Sequence, residues 1–81
     1  MILKRMHYDA KGRLTTRWTP EITGAARFYD EDWKADVVEM TFKGDHPTER
    51  VVIHPGEGLY LCNDEGRTVE VLSRLQTREK T

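Results

Sequence analysis

Hydrophobic and polar residues alternate along most of this chain. Leu14, Thr16 and Trp18 take one set of alternate positions and Thr15, Arg17 and Thr19 the other, the period-two signature of a half-buried strand. Across Asp36–Lys43, Val38, Met40 and Phe42 alternate with Val37, Glu39 and Thr41. Glu49–His54 holds the β-branched run Val51, Val52 and Ile53, stopped by His54-Pro55-Gly56 because proline donates no ladder hydrogen bond. Leu59–Cys62 and Thr68–Leu72 add another pair of strands, with Val69 and Val71 on one face.

Two turns of the same construction join these segments. Tyr8-Asp9-Ala10-Lys11-Gly12-Arg13 opens on Asp and closes on Gly, and Cys62-Asn63-Asp64-Glu65-Gly66-Arg67 repeats the pattern with Asn first. An Asx side chain bonds back to its own turn, and glycine accepts the left-handed conformation that ends a type I turn with a bulge. The turns predict two hairpins, Ile2–Tyr8 with Arg13–Thr19 and Gly58–Cys62 with Arg67–Ser73. Their flanks do not match, so they do not make an internal repeat.

Residues 20–29 read two ways. Thr19-Pro20-Glu21 is a good helix start, with a hydroxyl cap, a proline in the first turn and an acid near the positive end; Ile22, Ala26 and Tyr29 would then share a face. Thr23-Gly24 in the second turn weakens that helix, and an extended strand over Ala25–Asp30 competes with it. The fold class expected is mainly β, or a small α+β domain if the helix forms, with about six short antiparallel strands in a compact sheet or barrel. The 81 residues make one domain, 1–75, since two cores would leave each too little surface to bury, with 76–81 a frayed polar tail.

Composition narrows the classes of function. A net charge of -1 excludes a uniformly cationic nucleic-acid coat, and no apolar run approaches the roughly 20 residues needed to span a bilayer. Lys4 and Arg5 interrupt any secretory apolar region. The single cysteine, Cys62, allows no internal disulfide, which points to a reducing cytoplasm. Charge is nonetheless unevenly spread. Residues 1–27 carry a net +4 and residues 28–50 a net -4. Either the basic hairpin folds against the acidic segment and neutralises it, or the asymmetry faces a partner.

Candidate chemistry is sparse. His7, His46, His54 and Cys62 lack metal-ligand spacing, and no Walker loop, dinucleotide fingerprint or G-x-S-x-G elbow occurs, so neither a metal nor a cofactor is expected. Cys62 with His54 as base could serve acyl transfer, but a cysteine beside Leu61 in a strand usually behaves as a small buried hydrophobe. An enzyme is not the expectation. Phe28-Tyr29-Asp30-Glu31-Asp32-Trp33 is the densest stretch, three aromatics bracketing three acids. Aromatics concentrate at the centres of protein interfaces, and the acids suit a basic partner.

The leading expectation is therefore a non-catalytic protein-binding module acting through Phe28, Tyr29, Asp30, Glu31, Asp32 and Trp33 or through a strand edge. Small inhibitors and adaptors carried by phages and other mobile elements are commonly this short, charged and motif-free. The alternative is a small β barrel binding nucleic acid through Lys4, Arg5, Arg13 and Arg17, with Trp18 stacking on bases instead of filling the core, where it is expected. A homodimer formed by two-fold strand pairing is compatible with both.

Overall fold

The computed structural model describes residues 1–76, and both turns form as the sequence predicts. Asp9 accepts the backbone N–H of Lys11 (2.9 Å) and of Arg13 (2.8 Å), and Gly12 takes φ +79°. These donors, Arg13 first, hold the Asp9 carboxyl below its usual range. Asn63 accepts the N–H of Glu65 and of Arg67, each at 3.0 Å, with Gly66 at φ +85°.

Among the described residues seven antiparallel strands result: β1 (Ile2–Tyr8), β2 (Leu14–Thr19), β3 (Ile22–Asp30), β4 (Ala35–Phe42), β5 (Glu49–Val52), β6 (Gly58–Cys62) and β7 (Thr68–Ser73). They form two open sheets, one in the order β2-β1-β6-β7 and one in the order β3-β4-β5. Neither sheet closes into a barrel.

The helix expected near 20–29 does not form; no described residue is helical, and that segment is β3. Pairing along β4 explains the outcome, since nearly the whole length of β3 finds a partner strand. The Thr23-Gly24 step that weakened the helix marks a register shift between Ile22 and Gly24, where glycine suits a bulge. Glu21 takes φ +62° at the corner where the chain leaves one sheet for the other, and Ile22 N–H donates to Met1 O (3.0 Å).

The core lies between the sheets. Leu3 of β1, Leu59 and Leu61 of β6 and Leu72 of β7 meet Ile22 of β3 and Val38 and Met40 of β4, with Ala25, Phe42, Val51 and Ile53 packed around them. Each fully buried aliphatic side chain of this kind contributes about 1.5–3 kcal/mol. Arg27 Nη1 donates to Leu72 O (2.9 Å), tying β3 to β7 across the sandwich. Gly58 opens β6 where Leu75 passes close by: a Cβ there would lie 2.8 Å from Leu75 Cβ and 2.9 Å from Leu75 N.

Trp18 is not in this core. The first turn pairs Leu3 with Thr19 and Lys4 with Trp18, and Leu3 is fully buried. The core side of β2 is therefore Thr15, Arg17 and Thr19. Trp18 sits on the outer face, 51% exposed, with Lys4 Nζ 5.6 Å from its ring centroid and 5.2 Å from that of Tyr60. Val69 and Val71 also face outward. Of the tail expected to fray, only Gln76 is among the described residues, and its N–H donates to Gly56 O (3.1 Å). No described helix is long and apolar enough to cross a membrane.

Candidate binding surface

The acidic-aromatic stretch occupies the end of β3 and the turn into β4. Asp30, the last residue of β3, is buried although it is charged, at 5% exposure. Its carboxylate accepts the Trp33 N–H (2.9 Å) and the Arg50 Nη1 (2.6 Å). These contacts, the Trp33 N–H first, outweigh desolvation and hold the Asp30 carboxyl below its ordinary value. Arg50 also donates from Nε to Glu39 (2.6 Å), and the two carboxylates, Glu39 first, raise the guanidinium pKa. Lys34 closes the turn at φ +51°, a left-handed position that side chains other than Gly or Asn adopt at some cost.

The six predicted residues thus divide. Asp30 is spent on holding the turn and is not a free surface acid. Phe28 shares the outer face of its sheet with Val37 and Val52, and the Arg50 guanidinium lies 5.0 Å from its ring centroid. Tyr29 pairs with Asp36 on the other face yet is 57% exposed, and Trp33 in the turn is 52% exposed. Glu31 and Asp32 are exposed and form no ion pair among the described residues. Asp30 alone of the six is buried; Tyr29, Glu31, Asp32 and Trp33 are accessible, and Phe28 is partly so at 36%.

The charge asymmetry survives folding. Among the described ion pairs, only Arg27–Asp36 joins the basic 1–27 segment to the acidic 28–50 segment. Arg50 satisfies Asp30 and Glu39 from within the acidic segment, while Arg5 pairs with Glu57 and Arg13 with Asp9.

The alternative basic set is dispersed. Lys4 faces outward between Trp18 and Tyr60, whereas its neighbour Arg5 lies on the opposite face of β1, directly across from Arg17. Arg13 precedes β2 and is bonded to Asp9 (3.1 Å). Arg17 shares the face of Leu3 and Arg5, the reverse of the arrangement expected with Trp18 in the core, and is exposed to solvent. Cys62 is fully buried in β6, its sulfur 3.7 Å from Tyr60 O, as a small hydrophobe would be.

One concavity escaped the sequence reading. Arg5, His7, Tyr8 and Arg17 of the first hairpin and His54, Pro55 and Glu57 of the β5–β6 connection line a pocket of about 340 Å³. The hairpin half was legible, because the turn at Asp9–Arg13 fixes Arg5 opposite Arg17 and His7 opposite Thr15. The other half depends on how the sheets pack. The chain matches no protein-family model, no curated protein and no solved structure.

Proposed function

We propose that this protein is a non-catalytic protein-binding module, an inhibitor or adaptor, that presents Tyr29, Glu31, Asp32 and Trp33 to a basic surface on another protein in the cytoplasm. The observation that carries this reading is the exposure of Tyr29 and Trp33, each more than half open to solvent, beside two unpaired acids. A domain this small has few large apolar residues to stabilise it, and leaving two aromatics outside its core sacrifices burial that an interface would recover. Aromatic anchors rimmed by charge are the usual composition of an interface hot spot. β3 adds a second means of contact, since it stands at the edge of its sheet and leads directly into this turn.

Affinity capture from the native host, read by mass spectrometry, tests the proposal. Partners recovered with the wild-type chain should be lost with both Trp33→Ala and Asp32→Lys, while both variants melt close to wild type. Equal recovery with all three chains would remove Tyr29–Trp33 as the binding surface.

A further inference from the structure

The pocket between the first hairpin and the β5–β6 connection has the makings of an anion site. Arg5 and Arg17 are directly paired across β1 and β2, and like charges in that position repel. Glu57 compensates only one of them. Both Glu57 oxygens accept from the same Arg5 nitrogen, Nη2, at 3.2 and 2.9 Å. The Arg5 Nε–H is buried and meets no acceptor among the described residues. The Arg17 guanidinium has neither a hydrogen bond nor an ion pair among the described residues. The orphaned buried donor is unfavourable, Arg17 is a solvent-exposed charge that no carboxylate offsets among the described residues, and both belong to residues lining one concavity.

We infer that this pocket binds a small-molecule phosphate monoester. Arg17 supplies the charge, and its planar fork matches phosphate oxygens. The His54 imidazole lines the same pocket and can donate to an oxygen beyond those the Arg17 fork engages, which suits a three-oxygen phosphate better than a two-oxygen carboxylate; the His7 ring, 3.1 Å from Thr15 Oγ1, already has a partner within the hairpin. A cavity of about 340 Å³ lies within the range of small-ligand sites and exceeds what a phosphate group alone would fill. Tyr8 and Pro55 provide an apolar wall for the ligand's organic body. None of the residues lining this pocket belongs to the Tyr29–Trp33 surface.

Phenyl phosphate titrated into the ¹⁵N-labelled full chain at constant ionic strength tests the inference. Saturable amide shifts should appear at Arg5, His7, Arg17 and His54. Arg17→Ala, on an exposed edge strand, should keep the dispersed spectrum of the folded chain and weaken binding about tenfold or more, as loss of a charge-assisted phosphate contact would. His54→Ala, in a connecting loop, serves as the second variant and should also weaken it. No saturable shift up to about 10 mM ligand, the weak limit of useful affinity, would overturn the site. So would saturable binding that both variants leave unchanged.

Discussion

The carboxylate of Asp30 lies 2.6 Å from Nη1 of Arg50, and this pair ties the tip of β3 to β5 across the intervening β4. The same carboxylate accepts the Trp33 N–H, so one buried acid fixes both the turn and the residue proposed to meet a partner. Because folding lowers the Asp30 pKa below its ordinary value of 3.8, the contribution is complete above that value and is lost as pH falls through the lowered one. Asp9 shifts in the same direction and adds to the effect. Urea unfolding followed from pH 7 to pH 2 should show stability falling in the acid range. Asp30→Asn should start lower at pH 7, having lost the charge that Arg50 needs, and should fall less steeply in acid.

Binding through Glu31 and Asp32 should depend on salt. Exposed acids steer a basic partner from a distance, and such steering is screened within about 8 Å at physiological ionic strength. Asp32→Lys is expected to slow association with a captured partner more than it speeds dissociation, whereas Trp33→Ala should mainly speed dissociation. Surface plasmon resonance with the purified partner separates the two.

Trp18 should matter little to stability. A core tryptophan typically costs about 3–5 kcal/mol when cut to alanine. Half-exposed and held by Lys4, Trp18 should cost about 1 kcal/mol or less, the scale of an exposed cation–π contact. Chemical denaturation of Trp18→Ala measures this, and a loss of core size would contradict the outward placement.

Neighbouring residues in β7 should behave oppositely. Leu72 is buried against the opposing sheet and Val71 is exposed. Leu72→Ala is expected to cost about 2–5 kcal/mol, and Val71→Ala to stay within about 0.5 kcal/mol. The same denaturation experiment decides it.

Gly58→Ala should destabilise the fold by about 1–3 kcal/mol, the usual cost of forcing volume into a packed site. The added methyl would meet the Leu75 backbone nitrogen as well as side chains, so Leu75 could not yield by a rotamer change alone. Thermal unfolding of this variant should show a lower Tm with the two-state transition kept.

Local structure is specified by short stretches of the chain. Asp9 with Gly12 and Asn63 with Gly66 specify their turns through contacts made within a few residues, and each turn then fixes the register of its hairpin. Alternation correctly separated Trp18 from Arg17 and Val71 from Leu72. The identity of the inner face was decided only by tertiary structure, because a face becomes interior when another sheet covers it, and period two is the same from either side. That is why Trp18, the largest apolar residue of β2, lies outside while Arg17 shares the face of Leu3, still exposed because β2 runs along the edge of its sheet. β3 shows the same division. Ile22–Asp30 carries mixed signals that local propensity leaves open, and the ladder with β4, formed by residues distant in sequence, resolves them as a strand. The acidic-aromatic stretch was visible as composition, but the burial of Asp30 was not, since Arg50 reaches it from β5. The pocket joining Arg5 and Arg17 to His54 and Glu57 likewise exists only once the β5–β6 connection packs beside the first hairpin, a long-range contact that no local pattern encodes.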